Sequence, residues 1–254
     1  MKFLVVGHVT LDREAGLRRL GGAIYAVLAL RGRGRVTLLT SGPHWMAKYL
    51  PSDTETILVP SGTITTFLLE GKGEDRVLHL LERGEDIDPS RLPEPLDFDA
   101  VVLDPVIGEC ERVLPLIPKG ILSADAQGFV RGTRGTRVVL RRRRPFPSRV
   151  LHGSRSEVEA LGGLKTLSRL VDHVLVTEGP RGGTLVIGER KIKFPEPDFV
   201  CTDDTGAGDY LLASFTYHSL MVDAEEALHR ALEDTWDFLR KRSRTEPPPV
   251  PGEQ

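Results

Sequence analysis

Short, mainly apolar segments recur along this chain, and each one ends at a glycine, an aspartate or a threonine. Strands buried on both faces of a parallel sheet have this pattern, because neither of their faces is open to water. Segments with helical spacing, such as one around 108–116, alternate with them. The alternation predicts a three-layer α/β/α fold, in which helices cover both faces of a mostly parallel central sheet. The clearest strand segments are 3–6, 100–104, 121–125 and 174–177.

The composition is that of an ordinary soluble domain. Of the 254 residues 40% are hydrophobic, and the formal net charge is −2, which gives no overall attraction to nucleic acid or to a membrane. Cys110 and Cys201 stand alone, so neither a disulfide framework nor a zinc site is predicted. No stretch approaches the roughly 20 apolar residues that span a bilayer, and the N-terminal run is too short for a signal peptide. We therefore expect a cytoplasmic protein with one domain over residues 1–244 and a disordered, proline-rich tail over 245–254.

The sequence Asp-Thr-Gly-Ala-Gly-Asp at 204–209 opens a segment whose apolar residues have helical spacing. With Thr205 as the predicted N-cap, a first turn of small residues would present free backbone N–H groups and the helix dipole to an anion such as a phosphate. Asp209 would place a carboxylate beside that anion, which makes sense if it takes a proton from an attacking hydroxyl. The alternative is an ordinary helix start with aspartate caps. The small residues of the turn are Gly206, Ala207 and Gly208.

The N-terminal part of the chain carries two further candidates. Asp12 follows the first strand, at the edge where open α/β sheets bind ligands, and could accept two hydrogen bonds from a polyol. No G-x-G-x-x-G follows that strand, so the fingerprint of a Rossmann dinucleotide site is missing. Gly21 and Gly22 precede an apolar helix and would let a ligand approach the backbone closely. The alternatives are a solvated loop aspartate and a plain loop-to-helix junction.

Residues 63–81 predict a β-hairpin, because two β-rich segments flank a turn that begins at Gly71. A hairpin that projects from the main sheet could lie over a site and exclude water, which a kinase needs if it is not to waste its phosphoryl donor by hydrolysis. An edge hairpin of the main sheet would have the same pattern.

The one marked charge asymmetry lies between Arg131 and Arg155, where there are nine arginines and no acidic residue. We expect a solvated basic face that lends positive potential to a nearby phosphate site. Nucleic-acid binding is the alternative, and the scarcity of aromatic residues argues against it. At the end of this segment Ser154 and Glu157 have the spacing of a capping box. The glycine-rich stretch after the 174–177 strand could hold a nucleotide phosphate or form a plain turn.

In their order and spacing these motifs resemble those of the ribokinase-like (PfkB) carbohydrate kinases, from Val5 to about Ala231. Segment 204–209 looks like the C-terminal signature of that family, and Gly21–Gly22 like its N-terminal glycine pair. The compact layout is most similar to the myo-inositol kinase branch. The resemblance implies a ribokinase-like fold with a small β-hairpin lid. It also implies an enzyme that transfers the γ-phosphoryl group of ATP to a hydroxyl of a sugar or cyclic polyol such as myo-inositol.

The resemblance implies a role for each matching residue. Asp209 would be the general base, and Glu157 would organise hydrated Mg²⁺. The residues implied to form the anion hole for the transferred group are Gly206, Ala207 and Gly208. The residues implied to contact the substrate are Asp12, Gly21, Gly22, Thr66 and Phe67. The residues implied to hold ATP are Thr177, Gly179, Gly182 and Thr205.

The chain also departs from the family pattern. Ser154 stands where the family has the asparagine of its N-x-x-E element. Only nine residues separate Asp12 from Gly22, too few for the first long lid hairpin of ribokinase, and the C-terminal part is short where the family binds adenine. A nucleoside kinase of the same family and a non-catalytic ligand-binding protein are the rival functions. The sequence leaves open the phosphoryl donor and the choice between a monomer and a homodimer.

Overall fold

The computed structural model describes residues 1–71, 77–179, 181–201 and 203–242. The predicted tail at 245–254 and most of the turn of the predicted lid hairpin, at 72–76, lie outside the described residues. The strands are β1 Lys2–Val6, β2 Val9–Glu14, β3 Leu17–Gly22, β4 Arg35–Gly42, β5 Glu55–Pro60, β6 Thr66–Glu70, β7 Val77–Glu82, β8 Ala100–Leu103, β9 Leu122–Asp125, β10 Arg131–Arg134, β11 Arg137–Leu140, β12 Ser148–Ser154, β13 Val171–Thr177, β14 Gly183–Ile187 and β15 Arg190–Phe194. The helices are α1 Ile24–Leu30, α2 Gln127–Val130, α3 Arg155–Ala160, α4 Leu164–Leu170, α5 Ala207–His218 and α6 Ala224–Arg242.

Nine of these strands form the central sheet, in the order β15-β14-β13-β12-β9-β8-β1-β4-β5. Every pair from β13 to β5 is parallel, and β14 and β15 add an antiparallel edge. The predicted mostly parallel sheet is therefore confirmed. Because the strands are parallel, their carboxyl ends meet along one edge, where side chains that are distant in sequence come together.

Alternate side chains of each central strand enter two different cores, since successive residues of a strand point to opposite faces. In β1, Phe3 and Val5 pack with residues of α1, α5 and α6, whereas Leu4 and Val6 pack with residues of α2, α3 and α4. Helices thus cover both faces, and the chain has the predicted three-layer α/β/α architecture. In the described part of the chain, no helix is long and apolar enough to cross a membrane.

The other six strands form a second sheet, in the order β10-β11-β7-β6-β2-β3. We call it the lid sheet. The predicted hairpin is present as β6 and β7, and it is the centre of a larger structure. A small separate core holds the sheet together, formed by Phe67 and Leu69 of the hairpin with Val106 and Ile107 from the loop after β8.

One predicted helix is wrong, and one of the two interpretations of Asp12 is excluded. Asp12 is not a solvated loop aspartate, because it lies in strand β2 of the lid sheet, where residues 9–22 form a short hairpin that turns at Ala15–Gly16, both with positive φ. The predicted helix around 108–116 is a series of turns with a 3₁₀ helix at Leu114–Leu116. The fully buried carboxylate of Glu109 accepts hydrogen bonds there from the N–H groups of His8, Val106 and Ile107, which fixes the turn.

Candidate active site

A cavity of about 210 Å³ lies between the lid sheet and the carboxyl edge of the central sheet. Six of the residues predicted from the sequence line it: Asp12, Gly22, Phe67, Thr205, Gly206 and Asp209. The sequence reasoning gave no site role to the other residues that line it: Thr10, Tyr25, Leu69, Leu78, Val106, Gln127, Arg131 and Asp204.

Helix α5 begins beside this cavity, one residue later than predicted. Its N-cap is Gly206, with a φ of 80°, and not Thr205, whose hydroxyl oxygen instead accepts a hydrogen bond from Arg19 Nη2 (2.7 Å). A Cβ atom at Gly206 would lie 2.2 Å from a ring carbon of Tyr25, so glycine is needed both for the left-handed backbone and for the close ring. The helix therefore starts tightly against α1.

Helix α5 lines the cavity through Asp209, whereas Ala207 and Gly208 of its first turn do not line it. Part of the backbone donors of this turn are already in use. The N–H of Ala207 donates to the carbonyl of Asp204 (3.1 Å). The N–H groups of Gly208 and Asp209 have no acceptor within the helix, as helix geometry requires of a first turn. A Cβ atom at Gly208 would lie 2.5 Å from Cε1 of His152. The small residue at 208 thus makes room for a histidine ring of the protein itself.

Asp209 projects from this first turn and is buried, with 9% of its surface exposed. Gln127 Nε2 donates a hydrogen bond to its Oδ1 (2.8 Å). Burial, followed by the charge of Asp125, raises the pKa of Asp209 to about 7. A carboxylate with this pKa can accept a proton at neutral pH far better than an exposed aspartate, which makes Asp209 suitable as a general base.

Two further buried carboxylates, Asp104 and Asp125, converge on Asp209. One oxygen of each of the three lies within 4.8 Å of oxygens of the other two. Asp104 directly follows β8 and Asp125 ends β9, which are neighbours in the sheet. The sequence reasoning saw that both strands end in a carboxylate but gave neither a place in the site. Their shared position at the carboxyl edge was the signal that could have found them.

A buried histidine connects this cluster to the predicted donor side. His152 Nδ1 lies 2.6 Å from Asp125 Oδ2, and its Nε2 lies 3.2 Å from the hydroxyl of Thr177. Burial alone would lower the pKa of His152, but the charge and hydrogen bond of Asp125, together with the charges of Glu157 and Asp209, outweigh it, and the net pKa is raised. Thr177 is therefore joined to the cluster, although it does not line the cavity.

Asp12 lies at the lid end of the cavity and is also buried, with 6% of its surface exposed. The hydroxyl of Thr10 donates to its Oδ1 (2.8 Å). Burial raises the pKa of Asp12, and the Thr10 hydrogen bond and the charge of Arg19 offset part of this rise. A Cβ atom at Gly21 would lie 2.2 Å from Asp12 Oδ2, so Gly21 makes room for the Asp12 side chain and does not itself line the cavity.

The two predicted lid residues face opposite ways, because they are neighbours on one strand. Phe67 lines the cavity. Thr66 is buried, and its hydroxyl donates to the carbonyl of Ile64 (3.0 Å), so the structure does not bring it into the cavity.

Arg131 is the one cationic side chain among the lining residues. It opens strand β10 of the lid sheet, and its positive charge lowers the pKa values of both Asp12 and Asp209, although burial outweighs it in each case. The run Arg141–Arg144 of the same basic segment is exposed, as a solvated face requires. Sequence reasoning could not separate Arg131 from the eight other arginines, because only the fold turns it into the cavity.

The capping box predicted at the start of α3 is formed. The N–H and the hydroxyl of Ser154 both donate to Glu157 Oε2 (2.8 Å each), and Glu157 N–H donates to Ser154 Oγ (3.4 Å). The other carboxylate oxygen, Oε1, lies 3.7 Å from Arg131 Nη2, an ion-pair distance. Glu157 therefore caps the helix through Oε2. Its Oε1 lies on the side of Arg131, where it could accept a hydrogen bond from a water molecule of a hydrated cation.

The predicted donor-binding glycines lie in the turn between β13 and β14, outside the cavity lining. Gly179 and Gly182 both have positive φ, and Glu178 N–H donates to the carbonyl of Gly182 (2.9 Å). A Cβ atom at Gly182 would lie 2.3 Å from the carbonyl oxygen of Phe194. Close packing against β15 thus already requires a glycine at 182.

An ion network that the sequence did not reveal ties the lid sheet to the segment before α5. Arg19 of β3 contacts Glu14, Asp203 and Thr205 through its guanidinium group, at 2.5 to 2.7 Å. Arg242, at the end of α6, lies 2.9 Å from the same Asp203 carboxylate. The predicted anion-binding turn is thereby anchored to a strand that borders the opposite side of the cavity.

Comparison with known proteins gives matches at the level of structure. No protein-family model matches the chain, and no curated protein matches its sequence. A pyrophosphate-dependent kinase in the ribokinase family, solved with a pyrophosphate analogue and myo-inositol, superimposes with a TM-score of 0.77 at 21% identity, over 98% of this chain and 97% of that one. An uncharacterised sugar kinase from Pyrococcus horikoshii in complex with ATP gives a TM-score of 0.72 at 15% identity, over 94% and 93% of the chains.

A nucleoside kinase from Methanocaldococcus jannaschii, an archaeal member of the ribokinase family, gives a TM-score of 0.70 at 15% identity, over 95% of this chain and 92% of that one. Similarity at these identities is a similarity of fold. It extends over nearly the whole chain and includes the lid, as expected from the motifs at 21–22 and 204–209. The chain therefore has the ribokinase-like fold.

Proposed function

We propose that the protein is a kinase that transfers a phosphoryl group to a hydroxyl of a small sugar or cyclic polyol. The observation that carries this proposal is Asp209, a buried carboxylate with a pKa of about 7 at the start of a helix, facing a small cavity. A site that only binds an anion would not have a carboxylate at that place, since like charges repel. A site that removes a proton from a hydroxyl needs a base there, and a carboxylate can serve as that base.

In this proposal the acceptor lies between the two carboxylates that line the cavity. Asp12 accepts hydrogen bonds from acceptor hydroxyls at the lid end, and Phe67 covers the apolar face of the ring. Asp209 takes the proton of the attacking hydroxyl, so that the oxygen can attack the donor phosphorus in line while the bridging P–O bond of the donor breaks and ADP, or phosphate from pyrophosphate, leaves. The protein contributes position and charge, with no covalent intermediate.

The negative charge of the transferred group would be met from two sides. The N–H groups of Gly208 and Asp209, at the positive end of the α5 dipole, provide hydrogen bonds, and Arg131 provides a full positive charge. Mg²⁺ bound with the donor would neutralise phosphate charge, and Glu157 is the residue proposed to hold its water shell. The free side of Oε1 fits this role, whereas Oε2 is occupied by the cap.

The size of the cavity supports a small acceptor. About 210 Å³ is below the 300–1,000 Å³ usual for drug-sized ligands, and the lining combines a few polar groups with Phe67, Leu69 and Val106. One hydroxylated ring fits this description better than a nucleoside does. The structural neighbour that was solved with myo-inositol supports a cyclic polyol, and the neighbouring nucleoside kinase keeps that class as the second candidate.

ATP is the proposed donor, and pyrophosphate is the second candidate. Structural neighbours include one solved with ATP and one described as pyrophosphate-dependent. Gly179 and Gly182, which were predicted to hold a nucleotide, do not line the cavity. The cavity lining therefore does not favour a nucleotide donor over pyrophosphate.

The test is a matrix of donors and acceptors. ATP·Mg²⁺ and pyrophosphate·Mg²⁺ are each incubated with myo-inositol, ribose, fructose, inosine and cytidine, and the phosphorylated acceptor is detected by mass spectrometry and ³¹P NMR. We expect one donor and one polyol or sugar to give a product that Asp209→Asn does not form and that the exposed control Asp53→Asn does. If the folded protein binds an acceptor and a donor but forms no phosphorylated product, it is a ligand-binding protein and the proposal is wrong.

A further inference from the structure

Asp104 is a buried carboxyl group to which the proposed mechanism gives no role. It follows β8 directly, its backbone N–H donates to the carbonyl of Val6 (2.8 Å), and none of its surface is exposed. Neither of its carboxylate oxygens receives a hydrogen bond from a donor in the described ranges. An ionised carboxylate in that situation would lose its hydration without compensation.

The charged groups around Asp104 make ionisation still less favourable. Asp209 of α5, Asp125 of β9 and Glu109 of the following turn face it, and all three are acids. Two basic groups of the site are engaged elsewhere: His152 is hydrogen-bonded to Asp125, and Arg131 lies against Glu157 and the cavity. Acids that crowd together in a low-dielectric interior cannot all ionise.

We propose that Asp104 is a protonated carboxylic acid that donates a hydrogen bond to the carboxylate of Asp209. Together with Gln127 it would hold the base in place, and the carboxylate would keep free lone pairs for the acceptor hydroxyl. Asp104 is then a positioning residue, which never touches the substrate. This inference deepens the proposed function and rests on Asp209 as its base.

The direction of the pKa shifts agrees with this assignment. Burial, and after it the charge of Asp209, raises the pKa of Asp104 well above its ordinary value. A hydrogen bond between the two side chains would raise the pKa of Asp104 further and lower that of Asp209, as expected when the proton belongs to Asp104. Proteins elsewhere use a carboxylic acid that an apolar site keeps neutral at pH 7 as a hydrogen-bond donor.

Two substitutions distinguish a protonated Asp104 from an ionised Asp104. Asp104→Asn keeps a neutral donor of the same shape, so turnover should stay within a few-fold of the parent and the pH profile should be unchanged. Asp104→Leu keeps a similar volume but removes the donor. Asp209 then loses a hydrogen bond that favours its ionised form, and the acid limb of kcat/KM should move up by about one to two pH units. Turnover by Asp104→Leu at high pH should recover towards the parental value.

A measurement that does not require enzymatic turnover keeps the test of Asp104 independent of the proposed kinase function. Infrared difference spectra of the purified protein at pH 9, where Asp209 is ionised, should show a protonated carboxyl band that Asp104→Asn removes and Asp209→Asn retains. A parent without kinase activity that still has this band would refute the proposed function and leave the proton on Asp104 established. The inference is wrong if Asp104→Asn leaves the band intact. It is also wrong if that variant loses turnover as Asp209→Asn does, or recovers it only with added Mg²⁺, because Asp104 would then act as an ionised group.

Discussion

The floor and the roof of the cavity are built in different ways. The floor consists of strand ends and the first turn of α5, and the two large cores of the three-layer domain support it. Three buried carboxylates and His152 meet there. The roof is the lid sheet, whose own core is small and is formed by Phe67, Leu69, Val106 and Ile107 with a few partly buried neighbours. Its contributions to the cavity include one carboxylate, one aromatic ring and one arginine, namely Asp12, Phe67 and Arg131.

This difference suggests a division of labour. Proton transfer needs groups held within a few tenths of an ångström, and a floor packed on both sides can provide this. Recognition of an acceptor needs a surface that can open and close over it, and a thin sheet joined by a few ion pairs can do so. We therefore expect floor substitutions to change kcat, and roof substitutions to change KM or the choice of acceptor. Arg131 tests the boundary, since it comes from the roof but faces the floor.

The largest effect among the roof residues is expected for Arg131→Gln. Removing the one lining cation leaves the charge of the transferred group less stabilised, and kcat should fall by about 10²-fold with a smaller change in KM. Steady-state kinetics measure both constants, with Arg134→Gln, an exposed arginine on the same strand, as the matched control. A rise in KM alone would show that Arg131 belongs functionally to the roof.

The next effect is that of Asp12→Asn. The amide accepts fewer hydrogen bonds and lacks the charge, so KM for the acceptor should rise by about 10- to 100-fold, while kcat changes little. Titration of the acceptor by calorimetry checks the same loss without turnover, and Asp53→Asn serves as the exposed control. An unchanged acceptor affinity would remove Asp12 from the binding site and break the proposed division.

The pH dependence of kcat/KM should report the pKa of Asp209, which lies in the floor of the cavity. Only ionised Asp209 can act as the base, and its pKa is about 7, so kcat/KM should rise about tenfold per pH unit below pH 7 and level off above it. Rates measured from pH 5 to pH 9 check this. A profile that is already flat at pH 5 would mean that the base has the pKa of an ordinary exposed aspartate, contrary to its burial.

The smallest effect is expected for Glu157→Gln. Glutamine can replace glutamate in a capping box, so Tm should stay within about 1 °C of the parent. The negative charge near Arg131 is lost, and the Mg²⁺ concentration for half-maximal rate should rise several-fold. Glu159→Gln, on the same helix, is the control. An unchanged Mg²⁺ dependence would leave Glu157 as a helix cap only.

Sequence reasoning predicted the floor better than the roof, for physical reasons. A buried parallel strand and a glycine-rich helix start have local signatures, so the strands that end at Asp104 and Asp125 and the turn before Asp209 could be recognised. The N-cap was displaced by one residue because the position depends on the ring of Tyr25, which comes from a distant part of the chain. No local pattern reports such a contact.

The lid sheet has weaker signals. Strands β10 and β11 carry three arginines over residues 131–140, and their apolar residues do not alternate clearly, so the sequence indicates only a basic face there. The hairpin of β2 and β3 turns at Ala15–Gly16, where alanine adopts a positive φ that sequence rules assign to asparagine or aspartate. Its register is set by pairing with β6, more than fifty residues away.

The central claim is that Asp209 is the base, and the most direct measurement is single-turnover phosphoryl transfer by Asp209→Asn with the donor and acceptor found in the matrix. We expect a loss of about 10²- to 10⁴-fold, with acceptor binding retained. Because burial raises the pKa of Asp209 above its unfolded value of 3.8, the stability of the parent falls as pH rises from there to about 7. Asp209→Asn should therefore have an equal or higher Tm than the parent at pH 8. Near-parental transfer by this variant would contradict the account.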